Sequence, residues 1–482
     1  MKILMVTSET VPFSKSGGLA DVVGALSAAL VRKGNEIAIL MPAYSIVDLT
    51  GFSKPLSNFN VSICGTNENV SIREKIVNGV RYWAVCHPLY TERKGIYGDT
   101  SFKPYSDNFA RFMLLDKSAL EVCKSLKWKP DVIHSHDWTT GMVSFLLKQS
   151  KDNFFKKTKT VFTIHNLAYQ GDFTRFDALS GDFTPDERCF SGTGLDKRLN
   201  MLKTGLVCSD AITTVSPTYA QEIQTKEYGC GLDEILTARK KDLTGIINGI
   251  DYDEWNSKTD SFLKTNYSVD DLEGKKKLKA SVQKEFGLEV NDKIPLISLI
   301  TRLAEQKGLY ELLEEEPCAL ERLASIHDVQ FLIIGTGDEK IVEKLKDVAS
   351  RKSNVSVNIL FSNEKAHRVE GASDFFLMPS RYEPCGLNQL YSLHYGTIPI
   401  ARRTGGLADT IVDVDDNKEK ATGYLFSEMS GQAIEQAVEK ALELYNDNPE
   451  EIKNMRVRGM NTDFTWDHSA SEYTKVYTRG EI

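Results

Sequence analysis

Seven residues near the N-terminus, Lys15-Ser16-Gly17-Gly18-Leu19-Ala20-Asp21, return near the C-terminus as Arg403-Thr404-Gly405-Gly406-Leu407-Ala408-Asp409. Each copy follows a short apolar stretch and opens a helix-like one. A strand that turns through paired glycines into a helix leaves backbone N–H groups aimed outward at the positive end of a helix dipole. Such a turn favours an anion, usually a phosphate. A single Gly-Gly turn is better explained as a tight corner with no ligand. The repeated context, basic residue first and Asp last, favours the anion site. One such turn in each half suggests two similar nucleotide-fold units, with loops expected to face each other across a cleft.

Length agrees, since 482 residues exceed one ordinary domain and supply two large cores. The formal net charge of -8 argues against a nucleic-acid binder, which would carry a basic face. No apolar run approaches the length of a membrane span. Met1 to Glu9 has too short an apolar core for a signal peptide and reads as a first buried strand. The eight cysteines are scattered and include no Cys-x-x-Cys, which suggests reduced thiols in the cytoplasm and neither a disulfide framework nor a zinc site.

Strand-like and helix-like stretches alternate through the first half. Strands are expected at Ile3–Val6, Glu36–Leu40, Val132–His134, Thr160–Ile164 and Ala211–Val215, and helices at Leu19–Lys33 and Asp107–Leu126. Between about Ser57 and Pro88 the pattern changes to short antiparallel strands, with Asn78-Gly79 as a hairpin turn. The stretch Leu167–Lys197 has little periodicity and is expected to border the cleft. A second α/β unit is expected from Thr244, with strands at Leu296–Ile300, Val329–Ile334, Asn354–Leu360, Phe375–Met378 and Ile398–Ala401. Its helices are expected at Glu311–Leu323, Glu339–Ala349, Leu387–Tyr395 and Gln432–Tyr445. The charged stretch Ser257–Gln283 reads as a surface excursion. Trp466–Tyr477 is amphipathic, as a terminal helix packing back on the first domain would be.

Seven motifs in order carry a resemblance to the bacterial glycogen synthase and plant starch synthase family. They are the Lys15–Asp21 turn, His134-Ser135-His136-Asp137-Trp138, Phe162-Thr163-Ile164-His165-Asn166-Leu167-Ala168-Tyr169-Gln170-Gly171, Val215-Ser216-Pro217-Thr218-Tyr219, Asn248-Gly249-Ile250-Asp251, Arg302-Leu303-Ala304-Glu305-Gln306-Lys307-Gly308, and Pro379-Ser380-Arg381-Tyr382-Glu383-Pro384-Cys385-Gly386-Leu387-Asn388-Gln389. The resemblance implies an α/β chain of the GT-B type, with two facing Rossmann-like domains and a deep interdomain cleft. It implies a first domain over 1–243 on the acceptor side, a second over 244–461 on the donor side, and a C-terminal helix over 462–482. Such enzymes transfer glucose from a nucleotide sugar, typically ADP-glucose, to the non-reducing-end 4-hydroxyl of an α-1,4-glucan, with retention. No cofactor, metal, nucleic acid or membrane is expected. The expected location is the cytoplasm, or the plastid stroma after loss of a transit peptide that this sequence does not contain.

Breaking the bond from anomeric carbon to phosphate leaves a nucleoside diphosphate with added negative charge, so without a metal the protein must supply cations. Arg302 as a planar fork and Lys307 as a point charge suit one diphosphate, and stabilising developing charge is often the largest catalytic term. The resemblance places Glu383 at the sugar, where a carboxylate can stabilise positive character or bind hydroxyls, and His165 at the transferred glucose, at its 6-hydroxyl. Both routes to retention, front-face and double displacement, stay open. Donor contacts are expected from Lys15, Gly17, Gly18, Asn248, Cys385, Gly386, Leu387, Thr404, Gly405 and Gly406, with Phe361 stacking on the base. Asp21, Tyr97, Asp137 and Asn166 are expected on the acceptor side, Asp21 equally as a tie within its own helix.

One departure from related two-lobed transferases stands out. Many carry a second Glu eight residues after the first, and here that position is Tyr391. UDP-glucose as donor and a catalytically silent glucan-binding protein are the alternatives. Erosion at Arg302, Lys307 or Glu383 would favour the silent protein, and all three are present.

Overall fold

A computed structural model describes residues 1–99, 103–174, 177–178, 186–193 and 196–479. The chain forms two compact units, Met1–Gly249 with Trp466–Ile482, and Ile250–Thr465.

The first unit is built on a nine-stranded sheet. Its order is Leu243–Gly245, Ala211–Thr214, Lys159–Ile164, Val132–His136, Lys2–Val6, Glu36–Pro42, Val80–Cys86, Thr66–Val77, Ser57–Ile63. The first seven in that order run parallel, and the last two extend the sheet antiparallel. Residues on the central strands read as near-continuous apolar runs, as burial on both faces demands. Asn78 and Gly79, at φ 51 and φ 80, make the tight hairpin between the antiparallel strands. Chain order along the parallel part reverses between Lys2–Val6 and Val132–His136, so the loops leaving the carboxyl ends of these strands diverge and open a crevice there.

Two boundaries differ from the sequence expectation. The strand Leu243–Gly245 pairs with Ala211–Thr214, so the first unit runs on to Gly249 instead of ending at 243. Three residues are too short to carry a periodic signal. The terminal helix is Trp466–Thr478, starting later than 462. Its Trp466, Ala470, Tyr473, Val476 and Tyr477 recur every three or four positions and are buried in the first core. Each large apolar side chain sealed this way contributes about 1.5–3 kcal/mol.

The second unit has a six-stranded parallel sheet, ordered Val355–Asn358, Gln330–Ile334, Leu296–Ile300, Phe375–Met378, Ile398–Arg402, Tyr424–Phe426. Here the order reverses between Leu296–Ile300 and Phe375–Met378. The edge strand Tyr424–Phe426 carried no sequence expectation. Two expectations fail. The helix expected over Glu311–Leu323 is two, Leu309–Leu313 and Ala319–Ile326, because Glu314-Glu315-Glu316-Pro317 interrupts it. The stretch expected as a surface excursion holds the helix Glu273–Glu285, which buries Leu278 and Val282 and, with them, Lys275 and Lys279. Those buried ammonium groups are satisfied: Lys275 donates to the carbonyls of Gly371 and Tyr395 and to Thr397, and Lys279 pairs with Asp374 at 2.7 Å.

Within Leu167–Lys197 the described residues include the strands Asp172–Thr174 and Phe190–Ser191, which flank Arg198–Asn200 in a small antiparallel sheet. Residues 175–176, 179–185 and 194–195, on which part of the cleft expectation falls, lie outside the described residues.

Candidate active site

In the second unit three loops converge at the carboxyl ends of adjacent strands. Leu296–Ile300 leads into Arg302 and Lys307, Phe375–Met378 into Glu383, and Ile398–Arg402 into Thr404-Gly405-Gly406. Close backbone approach brings them together. Gly308 has φ 69, and a Cβ there would lie 1.7 Å from the carbonyl oxygen of Pro379. Gly405 has φ 45, and its Cβ would lie 2.0 Å from the carbonyl oxygen of Glu383. Both positions require glycine on two counts, the left-handed backbone and the missing side chain.

The result is an ion pair. Lys307 Nζ sits 2.6 Å from Glu383 Oε2, with the side chains 17% and 9% exposed. Ser380 Oγ donates to the same carboxylate oxygen at 2.9 Å. Arg302, five positions before Lys307 on the same loop, is exposed. Its guanidinium donates to Gln306 Oε1 at 3.4 Å, and Gln306 Nε2 donates to the carbonyl of Tyr382 at 3.2 Å. Gln306 and Ser380 belong to the quoted motifs, yet nothing in their spacing singled them out.

The second Gly-Gly turn corrects one expectation. The Gly406 N–H donates inward to the carbonyls of Glu383 (3.1 Å) and Pro384 (3.2 Å), so it is not offered to a ligand. A Cβ on Gly406 would lie 2.0 Å from the Cys385 carbonyl oxygen. The turn therefore seats the Glu383–Cys385 backbone. Thr404 and Cys385 are buried, Gly386 has φ 72, and Gln389 Nε2 ties the Cys385 and Gly386 carbonyls. Leu387 packs against the second unit's core. Phe361, just beyond the strand Val355–Asn358, is 89% exposed. A phenyl face this bare is not part of the core.

In the first unit the Gly-Gly turn already holds an anion. Glu9, buried at the end of Lys2–Val6, accepts from the backbone N–H of Ser16 and Gly17 and from Ser16 Oγ. Tyr97 O–H donates at 2.9 Å to Oε1, the oxygen that Ser16 Oγ also reaches, and Ser8 Oγ lies 2.9 Å from the same phenol. Burial pushes the Glu9 carboxyl up, and these donors pull it back. So the Gly17 N–H expected to face a phosphate faces Glu9, and the Tyr97 hydroxyl serves Glu9 too. The only sequence hint was an acid directly after a buried strand. Lys15 pairs with Asp21 at 2.7 Å across the start of the helix Gly18–Arg32, and stays about half exposed. Its echo Arg403 pairs outside its own repeat, with Asp413 and Asp416.

The next strand ends hold the remaining candidates. Asp137, at φ 57, takes a backbone shape that L-residues rarely adopt. Its carboxylate accepts from the backbone N–H of His165 (2.7 Å) and Asn166 (3.4 Å), binding two adjacent strand ends together. Burial pushes its carboxyl up to about 7, against those two N–H donors. Asn166 Oδ1 accepts from Ala168 N–H at 3.1 Å. His165 Nε2 lies 3.1 Å from His136 Nδ1, and burial drops the His165 pKa to about 3. Asn248 was expected to open the second domain. Instead it closes the first unit, 4% exposed, with its Oδ1 buried and without a hydrogen-bond partner among the described residues. An orphaned buried amide oxygen is what a ligand hydroxyl can satisfy.

Residues 2–238 match the model described as "Starch synthase catalytic domain", and residues 282–458 match "Glycosyl transferases group 1". A glycogen synthase of Geotalea daltonii is 42% identical, covering 99% of this chain and 98% of that one. A glycogen synthase of Treponema denticola is 40% identical over the same shares. The chain belongs to the glycogen synthase and starch synthase family. It is a glycosyltransferase with the two-lobed GT-B fold. The catalytic domain of starch synthase IV from Arabidopsis thaliana, solved bound to ADP and acarbose, superposes with a TM-score of 0.90 at 32% identity, over 99% of this chain and 98% of that one.

Membership of this family puts the departure at Tyr391 in context. Tyr391 stacks on Trp255, centroids 3.7 Å apart and 6° from parallel, and His367 covers the opposite face of Trp255 at 3.6 Å. The position that holds a second Glu in many related transferases is thus part of an aromatic stack inside the second unit's core. No helix among the described residues is long and apolar enough to cross a membrane.

Proposed function

We propose that this enzyme elongates α-1,4-glucan by transferring glucose from ADP-glucose to the 4-hydroxyl of the non-reducing end, with retention. The observation that carries the reading is the Lys307–Glu383 pair at 2.6 Å, on a loop shared with Arg302 at the crossover of the second unit's sheet. The two cations bind the donor diphosphate and neutralise the charge it gains as the glycosidic bond breaks, with no call on a metal or a cofactor. Glu383, bridged to Lys307 and Ser380, lies where a carboxylate stabilises positive character on the sugar. Phe361 stacks on the base. Lys15, paired with Asp21 in the first unit, is the further cation assigned to the donor.

The ADP found in the starch synthase IV structure supports an adenine donor, and the glycogen synthases at 40% and 42% identity support a glucan acceptor. In the first unit the Asp137 carboxylate fixes the backbone of His165 and Asn166 for the sugar, and Asn248 offers it a buried amide oxygen. The test is transfer of radiolabelled glucose to glycogen from ADP-glucose and from UDP-glucose in parallel. Faster incorporation from ADP-glucose is expected. Preference for UDP-glucose overturns the donor assignment, and no incorporation from either overturns the reaction.

A further inference from the structure

The strand Val132–His136 ends in two histidines with rings 4.1 Å apart and 34° from parallel. His134 has a partner on each nitrogen, Tyr477 O–H at 2.9 Å on Nδ1 and Thr163 Oγ1 at 2.6 Å on Nε2. His136 has one. Its Nδ1 meets His165 Nε2 at 3.1 Å, while its Nε2 is fully buried with no hydrogen-bond partner among the described residues.

A neutral imidazole carries one proton, on one nitrogen or the other. With the proton on Nε2, His136 would bury an orphaned N–H, which folded proteins rarely tolerate. With the proton on Nδ1, the orphan is a lone pair, and the N–H is donated to His165 Nε2. His165 Nε2 then has to be an acceptor, which places the His165 proton on Nδ1. A charged His165 would set two N–H groups against each other at 3.1 Å, and burial already disfavours that form at both rings. The His165 Nδ1 has no protein partner among the described residues, and the residue is partly exposed where His136 is not.

We propose that His136 is a positioning residue that acts through His165. Its Nδ1–H locks His165 in the Nδ1–H tautomer, so that His165 presents a fixed N–H donor to a hydroxyl of the transferred sugar. The tautomer follows from the geometry of two neutral, buried rings, whereas the role toward the sugar rests on the function proposed above. Second-sphere partners of this kind orient a working imidazole without touching substrate.

The experiment uses the full chain labelled with 15N-histidine, with the His165 signals assigned by their loss in His165→Gln. The expected wild-type spectrum shows His165 protonated at Nδ1 and bare at Nε2. His136→Asn keeps an N–H at the donor position and retains both the tautomer and most of the turnover. His136→Leu removes the donor, lets His165 move to the Nε2–H form, and lowers kcat roughly tenfold or more with donor KM little changed, the scale of a lost second-sphere partner. A wild-type His165 protonated at Nε2 overturns the proposal, whatever the variants do. So does a folded His136→Leu enzyme with unaltered kcat. If the wild-type protein transfers no glucose, the function proposed above fails, and the spectrum still decides the His136–His165 bond.

Discussion

Replacing Lys307 by Met removes one charge and almost no volume, which isolates the ion pair with Glu383. At 2.6 Å, even an effective dielectric of 20 makes the attraction about 6 kcal/mol, much of it offset by desolvation of both groups. Truncating one partner of a buried pair costs about 3–5 kcal/mol, because the other charge stays behind. Lys307 is 17% exposed, so the lower end, about 3 kcal/mol, applies. Among the described residues, Ser380 alone would then hold the Glu383 carboxylate. For a unit the size of Ile250–Thr465, that cost lowers Tm by roughly 6–12 °C. The double variant Lys307→Met/Glu383→Gln removes both charges and recovers most of the Tm. Turnover behaves differently: it falls about a hundredfold or more in the single variant and does not return in the double. Differential scanning calorimetry and initial rates with ADP-glucose read the two quantities separately. A single variant that melts with wild type refutes the stability argument. A double variant that regains turnover refutes the assignment of Lys307 to the diphosphate.

Arg302→Ala lowers kcat roughly a hundredfold with Tm little changed, since among the described residues its guanidinium holds only Gln306; rates and melting on one preparation check this. Phe361→Ala raises the ADP-glucose KM roughly tenfold, matching a stacking contact of about 1.4 kcal/mol, and leaves Tm unmoved because the ring is 89% exposed; a near-normal KM would remove Phe361 from the base site. Gly405→Ala meets the Glu383 carbonyl at 2.0 Å and abolishes turnover by displacing Glu383, which rates together with a crystal structure would show. Burial holds His134 and His165 neutral, with pKa values near 3, whereas an unfolded histidine titrates near 6.5. Their contribution to stability is present above pH 6.5 and is lost as pH falls toward 3, at about 1.4 kcal/mol per pH unit per histidine. Urea unfolding from pH 7 to pH 4 should show a shallower fall for His134→Gln than for wild type.

The sheets were readable because their signal is local. Leu296–Ile300 and Phe375–Met378 appear at the expected residues, since a short apolar run bounded by turns is a property of the run itself. The strand Leu243–Gly245 and the buried helix Glu273–Glu285 were not readable. The first is too short for a pattern, and the second buries lysines whose partners, Gly371, Tyr395 and Asp374, lie about a hundred residues away. The same limit governs the site. The motifs named Lys307 and Glu383 separately, but their contact spans 76 positions and depends on Gly308 touching Pro379. The repeated Gly-Gly turn shows the opposite failure. Its local chemistry was read as a phosphate site in both halves, yet Glu9 occupies the N–H groups of one copy and backbone carbonyls take the Gly406 N–H of the other. A donor N–H in a sequence does not say who accepts it.

The account stands on fixed protein cations neutralising the departing diphosphate. A crystal structure of the enzyme soaked with ADP tests this most directly. The account predicts the terminal phosphate within about 3 Å of both the Arg302 guanidinium and the Lys307 ammonium, at charge-assisted hydrogen-bond distance. Nucleotide bound away from both side chains would contradict it.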